Sequence, residues 1–191
     1  MDPAVFLDRD DTLIATREAT AGSASPGDLF DPALVSLLPG VGPALRRLAD
    51  AGFLLVVVTN QGSLAAGRCT LREVEATNDR MRELLGALGI TLAGVYLAPA
   101  RPTGKVARFM HDPHGWRKPG GGMFIAAATE LNLDLARSWM IGDAARDLDA
   151  AVAAGLAPAR CLRVGTPGVP DEVPDEVPDM GVACEKVLAG G

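Results

Sequence analysis

Asp8 and Asp10 stand two residues apart in Phe6-Leu7-Asp8-Arg9-Asp10-Asp11-Thr12-Leu13, at the end of a short apolar run. If extended geometry persists past Leu7, both carboxylates point the same way. Two like charges on one face are costly unless a cation sits there. The plain alternative is an acidic loop following a strand. Other positions bear on the choice. Thr59 offers a hydroxyl at the end of a second apolar run, with backbone N–H groups just beyond it. Asp143 follows another run, and Asp147 lies four residues further on. In the first turn of a helix, Asp147 would be placed favourably against the helix dipole. Lys118, in Arg117-Lys118-Pro119, opens the segment before a helical pattern.

The elements that must position these residues are legible as apolar runs. Residues 4–7, 53–58, 95–98, 138–141 and 161–164 are short, near-continuous and bounded by charge or glycine, as strands buried on both faces are. Helical patterns fall between them, at 43–51, from 70 to about 88, at 122–131 and at 145–154. Thr70 and Glu73 have the spacing of a capping box, and Gly52, Gly89 and Gly155 stand at helix ends. Strands alternating with helices predict an α/β domain with a mainly parallel sheet. In such a sheet ligands bind outside the carboxyl ends of the strands. Carboxylates, a hydroxyl and an ammonium would then reach one crevice.

The whole-chain properties bound the function. With 191 residues the chain is read as one domain with a real core. Its formal charge of −6 argues against nucleic acid or an anionic membrane surface as partner. Its 3 cysteines are odd in number and widely spaced, which predicts free thiols and a reducing cytoplasm. No apolar stretch reaches membrane-spanning length. Residues 15–39 are irregular. Near the C-terminus, Val-Pro-Asp-Glu recurs with proline at every fourth position, so 168–180 is read as an extended acidic connector. Residues 182–188 are expected to return and pack on the sheet edge.

The ordered set FLDRDDTLI, VVVTNQG, RKPGGGM and MIGDAARDLDAA resembles the haloacid dehalogenase superfamily over roughly residues 4–165. Within it, the sequence is similar to the histidinol-phosphatase-like branch, which includes heptose 1,7-bisphosphate phosphatases. The resemblance implies a three-layer, Rossmann-like α/β fold without a separate cap domain. It implies a magnesium-dependent phosphomonoesterase working through an aspartyl-phosphate. Asp8 would be the nucleophile and Asp10 the acid and base. Asp8, the backbone carbonyl of Asp10, and Asp143 would hold magnesium. Thr59 would bind the transferring phosphoryl group, and Lys118 would neutralise it and orient Asp8. Asn60 and Arg117 would contact substrate, and Asp147 would orient the site. The implied substrate is a small phosphorylated metabolite such as a sugar phosphate, with histidinol phosphate as the runner-up.

The sequence departs from the family at three places. Asp11 replaces the glycine that usually follows the second aspartate. Asp tolerates the left-handed backbone, but an added carboxylate leaves open a protein that binds phospho-ligands without hydrolysing them. The family's zinc loop would use positions 98, 100, 114 and 116. Here these are Ala98, Ala100, His114 and Trp116, of which three cannot ligate zinc, so structural zinc is expected to be absent. His111, Asp112 and His114 are read as ordinary loop residues. The arginine usually found after the TNQ motif is displaced or absent.

Overall fold

The computed structural model describes residues 1–165 and 176–190. Short hydrophobic strands with too few polar positions for a solvated face must be covered on both sides. Strands β1 (Ala4–Leu7) and β2 (Leu54–Asn60) meet this demand, with α1 (Thr16–Thr20) and α2 (Val41–Asp50) between them. Then follow α3 (Ser63–Ala66), α4 (Leu71–Ala87) and β3 (Gly94–Ala98). The second half runs α5 (Gly122–Leu131), β4 (Trp139–Gly142), α6 (Ala145–Ala153), β5 (Cys161–Val164), β6 (Glu176–Val177) and α7 (Met180–Ala189).

The six strands form one sheet in the order β3-β2-β1-β4-β5-β6, and every pairing is parallel. One face packs Val5, Leu7 and Ile141 against α2, α4 and α7, through Leu45, Met81, Leu85 and Val187. The other packs Phe6, Val56, Val58 and Met140 against α5 and α6, through Phe124, Ala127 and Ala150. Among the described residues all named strands belong to this sheet. The chain winds outward from β1 to β3, then crosses back to β4 and continues the other way. The boundary between β1 and β4 is therefore the topological switch point, where a crevice opens above the strand ends.

The strands and longer helices lie where the sequence predicts, within a residue or two. Thr70 accepts from the backbone N–H of Glu73, and the Glu73 carboxylate accepts from that of Thr70, the expected capping box. The acidic connector falls mainly on residues outside the described ones. At its end the reading of 168–180 is corrected, because Glu176–Val177 is a sixth strand and Met180 already begins α7. That helix packs on α2 rather than on the sheet edge alone.

Candidate active site

Three segments converge on one lysine at the switch point. Asp8 directly follows β1, and its backbone N–H donates to Ile141 of β4 at 3.0 Å. Lys118 Nζ lies 2.6 Å from Asp8 Oδ1 and 2.7 Å from Asp147 Oδ1, and donates to the Val58 carbonyl at 2.8 Å. Lys118, Asp8 and Asp147 are 2 %, 4 % and 0 % exposed, so the charges compensate one another out of water. Asn60 fixes the lysine's backbone. Its side-chain amide donates to the Lys118 carbonyl at 3.0 Å, and its oxygen accepts from the Lys118 N–H at 2.9 Å. Its side chain is thus committed to the peptide of Lys118.

Asp143 and Asp147 enter from β4 and the first turn of α6. Asp147 Oδ2 accepts from the Ala144 N–H at 3.0 Å, satisfying a helix-start donor. This side chain lies on Gly142, where a Cβ would come within 2.7 Å of Asp147 Oδ2. Asp8, Asp143 and Asp147 each present a carboxylate oxygen, all within 4.8 Å of one another. Asp143 Oδ1 is buried without a hydrogen-bond partner. Burial pushes Asp8 up to about 8, with Asp147, Asp143 and Asp10 adding to the rise and Lys118 opposing it. Burial and then Asp147 push Asp143 up to about 6. An orphaned carboxylate oxygen facing two more carboxylates is the donor chemistry of a hard divalent cation.

The carboxylates that converge are therefore Asp8, Asp143 and Asp147, and not the side chain of Asp10. Strand β1 ends at Leu7, so strand alternation does not carry through to Asp10. The Asp10 carboxylate is gripped instead by Arg9, whose Nη2 donates to both oxygens at 3.0 Å. Thr16 Oγ1 donates at 2.6 Å, Gln61 Nε2 at 2.9 Å and Thr59 Oγ1 at 3.4 Å. Burial pushes Asp10 up, but the Arg9 charge and the bonds from Thr16, Arg9 and Gln61 outweigh it and hold the carboxyl below the usual range. Asp11 adopts the left-handed backbone, φ 57°. Its carboxylate is drawn to the start of α1, accepting from the Arg17 N–H at 2.8 Å.

Thr16 lies outside the motifs, and Arg9 and Gln61 stand inside them without being singled out for a site role. Arg9 lies inside the motif, but its partners are 1 and 69 positions away, and only the packing of α4 reveals the second. Arg117 lies beside the centre, half-buried, with Nη1 donating to the Ala100 carbonyl at 3.2 Å. Asp112 accepts from the N–H groups of Trp116 and Arg117 at 2.8 and 2.7 Å, so one carboxylate organises the turn before Lys118. Burial and then the charges of Arg101 and Arg146 lower the Arg117 pKa, while Asp112 opposes them. Next to this cationic rim, Leu71, Leu97, Phe109 and Trp116 are among the walls of a cavity of about 450 Å³.

A parallel sheet with buried aspartates and a lysine gathered at its switch point places a charged candidate site where α/β proteins bind their ligands. The chain matches the family described as "Polynucleotide kinase 3 phosphatase" over residues 4–155. It is 37% identical over 169 residues to the D-glycero-beta-D-manno-heptose-1,7-bisphosphate 7-phosphatase of Escherichia coli (strain K12), covering 88% of this chain and 83% of that one. The corresponding enzyme of Thermosynechococcus vestitus is 40% identical over 156 residues, covering 80% and 75%. A crystal structure of D,D-heptose 1,7-bisphosphate phosphatase from B. bronchiseptica, complexed with magnesium and phosphate, aligns with a TM-score of 0.76. That alignment has 28% identity over 99% of each chain. A HAD-like phosphatase from Mesorhizobium loti aligns at 0.79 and 32% identity, over 99% of this chain and 87% of that one. The chain belongs to the haloacid dehalogenase superfamily of phosphatases and is a phosphoric monoester hydrolase.

Proposed function

We propose that the chain removes one phosphate from a small sugar bisphosphate, D-glycero-D-manno-heptose 1,7-bisphosphate, with Asp8 as nucleophile. The observation that carries this reading is the buried Asp8–Lys118–Asp147 bridge at the switch point. The lysine turns Asp8 toward the crevice and offsets the charge of an arriving phosphate. Asp8 attacks phosphorus, and the sugar oxygen leaves with a proton from Asp10. Asp10 is ionised in the free protein, and the nearby phosphate dianion raises its proton affinity. Asp10 then takes a proton from water, the water oxygen attacks the aspartyl-phosphate, and Asp8 and inorganic phosphate are released.

Asp147 is committed to Lys118 and to the Ala144 N–H, so Asp8, the backbone carbonyl of Asp10, and Asp143 would hold magnesium. When bound, magnesium supplies neutralisation of charge on the phosphate oxygens. Thr59 Oγ1 accepts from Gln61 and donates a long bond to Asp10, and would swing that proton to the phosphoryl group when substrate binds. Asn60 acts on substrate through the lysine it anchors. Arg117, with Arg101 and Arg146 near it, suits the distal phosphate, and the adjoining cavity leaves room for the sugar. Similarity to the heptose 7-phosphatases supports this substrate over histidinol phosphate. The withdrawal of Asp11 toward Arg17 removes the objection raised by the missing glycine.

We read the chain as one hydrolase domain that does not act on nucleic acid or membranes. Its free cysteines, Cys69, Cys161 and Cys184, favour the cytoplasm, and no helix among the described residues is long and apolar enough to cross a membrane. With Asp112 organising the loop before Lys118, structural zinc has no necessary role. The test is a panel of heptose bisphosphate, other sugar phosphates, histidinol phosphate and a nitrophenyl phosphate, assayed with magnesium. Heptose bisphosphate should give the highest kcat/KM. A higher value for histidinol phosphate would replace the substrate assignment.

A further inference from the structure

Asn78 is an odd residue for its place. It sits in the interior of α4, on the buried face shared with Val74, Met81 and Leu85, and is 0 % exposed. A buried amide is unfavourable unless its polar atoms are paired, and asparagine is a weaker helix former than leucine or methionine. The amide is only half satisfied. Asn78 Oδ1 accepts from Arg9 Nη1 at 2.8 Å, while Nδ2 is buried with no hydrogen-bond partner. An apolar side chain here would remove the half-paired amide but leave the buried Nη1 of Arg9 without its acceptor, so the explanation for Asn78 lies in the group it pairs with.

Arg9 supplies it. Its side chain is 1% exposed, so it does not reach out to substrate. Its planar fork divides between two partners. Nη1 goes to Asn78, while Nε and Nη2 go to Asp10, at 3.3 Å and 3.0 Å to Oδ1. A guanidinium held at one end by a neutral acceptor presents its other edge in a fixed plane.

We infer that Asn78 is a positioning residue for the hydrolysis, acting through Arg9 to fix the carboxylate of Asp10 toward the leaving oxygen. This rests on the proposed role of Asp10 as proton donor. The pairing draws a helix outside the strand-end motifs into the reaction, through the first aspartate motif's middle residue. An ionised group at Asn78 is not needed, only an acceptor at that position.

Leaving-group dependence tests it. Proton donation matters for a poor alkoxide leaving group and little for a nitrophenolate. The ratio kcat/KM reports events only through departure of the leaving group. Asn78→Leu should lower kcat/KM on the best sugar phosphate about tenfold or more, a share of the roughly 10²–10⁴-fold due to positioned proton transfer. On nitrophenyl phosphate it should change by less than about threefold, because that leaving group draws little on the acid. Asn78→Asp, which keeps the acceptor, should recover most of the loss. Equal losses on both substrates, or none on either, would overturn the inference. If Asn78→Leu does not fold, Arg9→Lys carries the same comparison, since it keeps the charge and loses the fork. Asp10→Asn is run alongside. Full sugar-phosphatase activity there would sink the role of Asp10 itself. Lost activity there, with parent-like selectivity in the Asn78 and Arg9 variants, would sink only the positioning role.

Discussion

Replacing Lys118 with methionine keeps the aliphatic stem and removes an ammonium that lies 2.6 Å from Asp8 and 2.7 Å from Asp147. All three residues are buried. Removing one partner of a buried ion pair leaves uncompensated charge and costs about 3–5 kcal/mol. In a domain of this size each kcal/mol lowers Tm by about 2–4 °C, so the expected fall is roughly 6–20 °C. The deficit depends on pH. The Asp8 pKa is held at about 8 by burial and the neighbouring carboxylates, even with Lys118 opposing them. A group raised in the folded state gives stability below its unfolded pKa and loses it as pH rises through the folded value. Without Lys118 the folded pKa of Asp8 moves higher still, so parent and variant lose stability in parallel from about pH 5 to 7, and the variant's deficit widens as pH rises through about 8. Thermal melting of metal-free parent and variant across this range is the assay. A variant melting within about 2 °C of the parent near pH 8 would refute the compensating role of Lys118.

Four further outcomes are expected. Magnesium affinity should rise as pH increases from about 5 to about 8, because Asp143, near 6, and Asp8, near 8, must lose protons to bind it; titration calorimetry showing a pH-independent affinity would contradict this. Asp112→Ala frees the N–H groups of Trp116 and Arg117, so KM for the sugar bisphosphate should rise roughly tenfold while kcat on nitrophenyl phosphate stays unchanged. Metal analysis of the parent protein should give no stoichiometric zinc. Thr70→Ala removes the cap of α4 and should cost about 0.5–2 kcal/mol by urea unfolding without altering kcat.

The sheet was legible because its strands are short apolar runs ended by charge, and a parallel sheet leaves such runs no solvated face. The meeting of Asp8 and Asp143 was legible for the same reason, since strand ends at a switch point must face one crevice, whereas Lys118, before a helix rather than at a strand end, was set beside Asp8 by the resemblance. What pairs with what there was not. Asp147 reads as a helix-start charge, yet it also holds Lys118. Asp10 reads as the neighbour of Asp8 in an acidic pair, yet its partners are Arg9, Thr16 and Gln61. Asn60 reads as a substrate contact, yet its amide closes on the Lys118 peptide, 58 positions away. Local spacing carries periodicity and caps, whereas these contacts depend on how α4 and the segment before α5 dock. The strand at Glu176–Val177 was hidden by prolines, which signal an extended chain without saying that it pairs.

In the proposed reaction the phosphoryl group passes through Asp8. Mixing the protein with magnesium and heptose bisphosphate, quenching in acid within the first turnovers and mapping the peptides by mass spectrometry examines it directly. A phosphoryl group on the peptide containing Asp8, missing from Asp8→Asn, is the predicted result. Turnover that persists in Asp8→Asn, or phosphate carried on a different residue, would contradict it.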